Sequence, residues 1–364
     1  MSRSPILILS LLIAAGFFVL SAAFGGGEIG GEDPVVEEAE KIVEDDPLTP
    51  EQEALDIRLS AIGGAFPGHV GIAVRDIADD RSFHFNGLEY FPQQSVSKLW
   101  VALTALDLVD RGELDLDDTV RIRPQDLTLF HQPLSDIVAA RGSFVTDYDD
   151  LMMRALTRSD NTANDTILRR VGGPSEVQDF LEDNDLESVR FGTDERSKQS
   201  AIAGLDWQQD YSIDDAFFEA REEVPVERRR QAFEAYLADP IDGASPVGIV
   251  AALGKLARGR LLSDQSTAYI LGVLERTRSG PRRLKGGTPP GWTMAHKTGT
   301  GQFFDGEQSG YNDIGILTAP DGAQYALAVM IARTRASYAE RMAMMQEVTR
   351  AAAAYHEAKL LAEE

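Results

Sequence analysis

Three short elements hold residue types suited to acyl transfer: Ser95-Val-Ser-Lys98, Ser159-Asp-Asn161 and Lys297-Thr-Gly299. A serine hydroxyl is a weak nucleophile until a base takes its proton. Lys98, three residues after Ser95, shares its helix face, so the amine reaches the hydroxyl. A lysine that is desolvated beside another cation gives up its proton readily and can be that base. Lys297 is expected to supply the second cation, from a strand that ends in a glycine. The apolar run Leu99-Trp-Val-Ala-Leu103 starts a helix just beyond Ser95. The free N–H groups and positive dipole end of that helix favour a developing anion. Gly299 permits close approach of a ligand, and Thr300 offers a backbone N–H as an oxyanion donor.

Taken singly, each element is weak. Ser-x-x-Lys arises about once by chance in a chain of this size, and a given triplet in a few per cent of such chains. A helix-capping serine and a surface lysine explain any one of them. The three together, in this order, with the first at a helix start and the last on a strand, form the signature of penicillin-recognising serine hydrolases. The chain resembles a class A β-lactamase or a close relative in that family. Phe91-Pro92 lead into the serine, Asn161-Thr-Ala-Asn164 and Gly172-Gly-Pro174 follow the second element, and Pro290-Gly-Trp292 precedes the lysine strand. The resemblance runs from Pro50 to His356, one insertion excepted.

The resemblance implies roles. Ser95 is the acylated nucleophile, Lys98 its base or proton relay, and Ser159 passes the proton to the leaving nitrogen. Asn161 holds the substrate's side-chain amide, and Lys297, Thr298 and Thr300 bind the carboxylate shared by penicillins and D-Ala-D-Ala peptides. Gly299 joins these as a substrate-binding position, and Phe130 resembles the aromatic that walls the cleft. The backbone N–H groups of Ser95 and Thr300 form the oxyanion hole. Two other readings share this chemistry or this binding: a D-alanyl-D-alanine peptidase acting on peptidoglycan, and a non-hydrolytic penicillin or peptidoglycan sensor.

Fast deacylation separates a lactamase from a penicillin target. In class A enzymes a glutamate after the Ser-Asp-Asn region activates the deacylating water, and 36 residues after Ser159 lies Glu195. Arg190 stands where the family opens that loop with an arginine. The family's Glu-Pro-x-x-Asn is here Glu195-Arg-Ser-Lys-Gln199, so Arg196 replaces a rigidifying proline and Gln199 replaces the asparagine amide. A plain alternative makes Glu195 an exposed loop carboxylate. An insertion over about 206–240 follows, with helical apolar spacing that predicts an extra helix packed on the helical lobe. Arg333 and Arg335 are candidates to assist the carboxylate, with solvated arginines as the default. His296 alternates with Lys297 on its strand and so reads as packing.

These residues need a frame to bring them together. Strand patterns lie near both chain ends: His69–Asp76 with Arg81–Asn86, then Trp292–Lys297, Asn312–Thr318 and Tyr325–Ile331 around Pro320-Asp-Gly322. Helical spacing fills the middle, in Leu99–Val109, Tyr148–Leu156, Asn161–Val171, Pro174–Leu181 and Val247–Ala257, and returns from Ser337. The expected fold is α+β in two lobes: an antiparallel sheet flanked by helices and built from both chain ends, and an all-helical lobe over about 91–280. A small-molecule site is expected in the crevice between them.

Composition agrees. Among 364 residues, 43% are hydrophobic and 26% charged, a globular balance. A net charge of −24 argues against nucleic acid as a partner. The chain has no cysteine, which removes disulfides, thiolate metal sites and a cysteine nucleophile. The five histidines form no metal-binding pair. No cofactor and no metal are expected, and the protein is expected to be a monomer. Residues 1–24, basic then apolar, read as a signal peptide or an uncleaved membrane anchor. Export follows, to the periplasm or the outside of the cell. Residues 25–49 read as a disordered linker within an acid-rich stretch, Gly25 to Asp56, that holds 12 acids and one lysine.

Overall fold

The computed structural model describes residues 47–363. The expected signal or anchor and nearly all of the expected linker lie outside these residues. In chain order, α1 is Pro50–Ala65, β1 Gly68–Asp76, β2 Arg81–Phe85, β3 Phe91–Pro92, α2 Lys98–Asp110 and β4 Thr119–Ile122. Then come α3 Ser135–Arg141, β5 Phe144–Asp147, α4 Tyr148–Thr157, α5 Asn161–Val171, α6 Pro174–Asp183 and α7 Glu195–Ile202. The insertion forms α8 Ala216–Glu223 and α9 Val226–Ala238, followed by β6 Gly243–Ala244, α10 Pro246–Ala257 and α11 Asp264–Glu275. The chain closes with β7 Thr293–Thr300, β8 Phe303–Phe304, β9 Glu307–Thr318, β10 Gln324–Thr334 and α12 Tyr338–Glu363.

The main sheet is antiparallel, in the order β2-β1-β10-β9-β7, with β8 paired to β9. Strands from the two chain ends meet where β1 pairs β10, with Ala73 opposite Ala328. Alternation gives the sheet two buried faces. Leu327, Val329 and Ile331 of β10 join Ile72 and Val74 against α1 and α12, in a core completed by Leu59, Met345 and Val348. Ala326, Ala328 and Met330 point the other way, into the core shared with α2, α10 and α11. The alanines keep that face shallow, which lets α10 lie close to the sheet.

α2 is the spine of the helical lobe, buried from Lys98 to Leu106. A helix hydrophobic on all sides belongs inside a large core. This lobe also carries two short antiparallel ribbons, β3 with β6 and β4 with β5. Elements of two to four residues are too short for periodicity to reveal. The insertion supplies two helices, not one, and they reach beyond the helical lobe. Phe233 of α9 meets Phe304 of β8 with ring centroids 5.6 Å apart, and Arg229 Nη2 donates to the Phe303 carbonyl at 2.9 Å.

Candidate active site

The turn that carries Ser95 is pinned from both sides. Gln94 has a left-handed backbone, φ 54°, uncommon for a residue with a side chain. Hydrogen bonds hold it there: the Gln94 N–H donates to Asp242 Oδ2 at 2.9 Å, and Gln93 Nε2 donates to the Asp242 carbonyl at 2.8 Å. A 3-10 turn, Gln94–Ser97, then runs straight into α2. Its geometry sets Lys98 Nζ 2.9 Å from Ser95 Oγ. Behind the turn, a Cβ on Gly299 would lie 2.3 Å from the Gln93 carbonyl oxygen. The close approach that demands glycine at 299 is therefore to the chain's own nucleophile turn, and not to a ligand as the sequence suggested.

Lys297 is fully buried on β7, and its Nζ donates to Ser159 Oγ at 3.1 Å. Ser159 stands in a left-handed conformation, φ 61°, between α4 and α5. Asp160 caps α5 and accepts the Leu134 N–H at 2.7 Å, which fixes the serine's direction. Each serine hydroxyl thus has its own lysine. Burial pushes the Lys98 amine down, opposed by Glu195 and reinforced by Lys198. Burial and then the Lys98 charge push Lys297 well below the usual lysine range. The second cation bearing on Lys98 is therefore chiefly Lys198, where the sequence pointed to Lys297.

Glu195 is no exposed loop carboxylate. It is the first residue of α7, 2% exposed, and its Oε1 takes Lys98 Nζ at 2.6 Å and Lys198 Nζ at 3.2 Å. Burial alone would raise its pKa, but the two ammonium groups more than offset this and hold the carboxyl well below the usual range. Gln199, one helical turn on, donates from Nε2 to Glu195 Oε2 at 3.3 Å and accepts from Gln302 at 3.0 Å. Arg196, at the family's proline position, anchors the segment differently. Its Nη2 donates to the Asp126 carbonyl at 3.2 Å, and its guanidinium lies 5.3 Å from the centre of the Trp207 ring.

A cavity of about 380 Å³ opens on this cluster, lined by Ser95, Phe130, Ser159, Asn161, Gln199, Ser279, Arg283, Thr298 and Thr300 among others. Asn161 Nδ2 donates to the Leu129 carbonyl at 3.0 Å, and its Oδ1 is left without a partner. Phe130, at φ 71°, packs on Phe217 and Phe218 of α8 with ring centroids 6.0 and 5.9 Å away. The insertion thereby backs the aromatic wall of the cavity.

Arg333 and Arg335 play no part here: Arg333 forks onto Glu234 and also pairs with Glu307, and Arg335 pairs with Glu307 at 3.3 Å. Arg158 and Arg283 both line the cavity, and the sequence reading missed Arg283, which is 7% exposed. Its Nη1 donates to the Gly299 and Asn312 carbonyls at 2.9 and 2.6 Å, and its Nη2 to Thr300 Oγ1 at 2.5 Å. It comes from a coil before β7, with no spacing to mark it. His296 is fully buried against Asp313 at 2.9 Å, as a packing residue should be.

The comparisons with known proteins point to one family. The model of the β-lactamase enzyme family matches residues 54–356. The extended-spectrum β-lactamase PER-1 of Pseudomonas aeruginosa is 29% identical over 80% of this chain and 84% of its own. β-Lactamase VEB-1, from the same organism, is 25% identical over 77% and 83%. Among solved structures, a β-lactamase from Chitinophaga pinensis superposes with a TM-score of 0.67 at 25% identity, covering 82% of this chain and 97% of that one. A crystal structure of the TLA-3 extended-spectrum β-lactamase shares the fold, with a TM-score of 0.68 at 24% identity over 83% and 98%.

Proposed function

The chain belongs to the β-lactamase enzyme family, and from that premise we propose that it hydrolyses β-lactams through an acyl-enzyme on Ser95. The observation that carries the proposal is the continuous path from Ser95 Oγ to Lys98 Nζ, 2.9 Å, and on to Glu195 Oε1, 2.6 Å. It joins a nucleophile at the cavity wall to a buried base for acylation and a buried carboxylate for deacylation.

In its neutral form Lys98 takes the Ser95 proton as Oγ attacks the lactam carbonyl carbon. The oxyanion that forms is held by the Ser95 and Thr300 N–H groups. Collapse breaks the C–N bond, and Ser159 hands a proton to the departing nitrogen, with Lys297 beside it at 3.1 Å to restore the balance. Glu195 then takes a proton from water as the hydroxide adds to the ester carbonyl. Lys98 returns to Ser95 Oγ the proton it took as the acyl C–O bond breaks, and the proton left on Glu195 makes up the one given through Ser159 by Lys297.

The substrate carboxylate falls to Thr298, Thr300 and Arg283. The Thr300 hydroxyl oxygen already accepts from Arg283 at 2.5 Å, so its own proton is free to face the substrate. Ser279 and Thr298 hydroxyls pair at 2.7 Å on the same wall. A buried carboxylate one lysine away from the nucleophile favours turnover over a long-lived acyl-enzyme. This speaks against a slow peptidase or a sensor. Export by residues 1–24 and an acidic linker over 25–49 complete the proposal; among the described residues no helix is long and apolar enough to cross a membrane.

The test is turnover of a chromogenic cephalosporin by the native protein and by Ser95→Ala. Continuous hydrolysis that the substitution abolishes, together with covalent penicillin labelling, supports the reading. A single stoichiometric burst followed by a plateau refutes it.

A further inference from the structure

One buried charge in the cluster has no part in the reaction as described. Lys198 is 3% exposed, and its ammonium is caged by four oxygens. Glu195 Oε1 and Asp242 Oδ2 each lie at 3.2 Å, and the Gln94 carbonyl and Ser97 Oγ each at 3.4 Å. The cage is built by distant parts of the chain. Asp242 precedes β6, and its other oxygen accepts the Tyr236 hydroxyl of the inserted α9 at 2.9 Å. Tyr236 in turn accepts from Gln94 Nε2 at 2.8 Å. Helical spacing brings Lys198 onto Glu195, since residues three apart on a helix are neighbours.

Glu195 Oε1 therefore faces two ammonium groups, Lys98 and Lys198, while Oε2 meets the Gln199 amide. This matters because Lys98 must be neutral to accept the Ser95 proton. With Lys98 as its sole counterion, a buried Glu195 would lose its compensation at that moment and tend to take up a proton itself.

We propose that Lys198 is a positioning residue for the deacylating carboxylate: a standing counter-cation, fixed by Asp242, that keeps Glu195 ionised and oriented while Lys98 gives up and regains its proton. The directions agree, with Lys198 held above the usual lysine range by Glu195 and Asp242 against the pull of burial, and Lys98 below it. The other charged or titratable groups facing Glu195 are Asp165 from α5, Tyr236 from α9 and Lys297 from β7, with Asp194 and Arg196 at the start of α7 itself. None of these is a second cation on its carboxylate oxygens. The inference rests on Glu195 being the deacylating base.

The experiment measures acylation and deacylation rate constants separately, by single-turnover kinetics from about pH 4 to about pH 9, for native protein, Lys198→Met and Lys198→Arg. Loss of the cation raises the Glu195 pKa, so the acid limb of deacylation, which the native protein keeps below the measured range, moves up into it in Lys198→Met. It also leaves Lys98 as sole counterion, so the limb for acylation moves to higher pH as well. Lys198→Arg stays near native. A folded Lys198→Met whose limbs lie where the native ones do, with rates merely lowered at every pH, overturns the proposal. If that variant does not fold, Lys198→Met with Asp242→Asn, in which neither charge of the pair remains, carries the same measurement with the same criteria. Glu195→Gln separates the two failures. If it hydrolyses its acyl-enzyme at the native rate, the base assignment falls and this inference with it. If it traps acyl-enzyme while the limbs stay fixed, this inference alone falls.

Discussion

Recognition of the substrate carboxylate by Arg283 is open to a quantitative test. Its guanidinium is almost fully buried, and it donates to Thr300 Oγ1 at 2.5 Å in the cavity wall. A hydrogen bond to a charged group contributes about 1.5–3 kcal/mol, so loss of the Thr300-to-carboxylate contact should lower kcat/KM by about 10- to 150-fold. Arg283 also ties the Gly299 and Asn312 carbonyls, so a lower rate in Arg283→Ala alone would not separate recognition from architecture. A double cycle does. Native protein and variant are each assayed on a cephalosporin as the free acid and as its carboxyl ester. Native protein should prefer the acid by that factor, and the variant should lose most of the preference. A variant that handles both forms more slowly but keeps the native ratio would refute the assignment.

Three further outcomes are expected. Burial and the Glu195 charge push the Asp165 carboxyl up to about 7. Between the unfolded value near 4 and 7 the folded state then holds the extra proton, so Asp165 costs stability as pH rises through that window. Asp165→Asn should gain on native by a few kcal/mol from about pH 5 to about pH 8 in urea midpoints; a constant difference would contradict this. Tyr236→Phe removes a partner from both Asp242 and Gln94 and should cost about 1–3 kcal/mol in denaturant unfolding, whereas an unchanged midpoint would show the insertion to be decorative. Gly299→Ala must displace the Gln93 carbonyl from 2.3 Å. It should acylate far more slowly while its melting transition stays cooperative, and native acylation rates would disprove the packing argument.

The motif residues were legible because chemistry at short range writes itself into short spacings. Ser95 and Lys98 are three apart on one turn, and Asp160 caps the helix that Asn161 begins. The sheet was legible because β9 and β10 alternate around a tight turn. What stayed hidden depends on pairs far apart in the chain. Lys198 and Asp242 are 44 residues apart, and Gln94 and Tyr236 are 142 apart, so no local pattern joins them. Arg283 leaves a coil whose course only the fold reveals. Glu195 was open to a better reading, since Asp194 caps α7 by accepting the Ser197 N–H at 2.8 Å. An aspartate with polar helix formers after it is a helix start, and a carboxylate in the first turn of that helix reaches Lys98 and is buried rather than loose.

The account turns on Ser95 being acylated and Glu195 freeing it again. Time-resolved intact mass and peptide mapping of Glu195→Gln, mixed with one equivalent of a penicillin, address both at once. The expected result is a full equivalent of adduct on the Ser95 peptide that persists after the native protein has returned to its free mass, with deacylation slowed by about 100-fold or more. Adduct on another residue, or adduct on Ser95 that clears as fast as in the native protein, would contradict it.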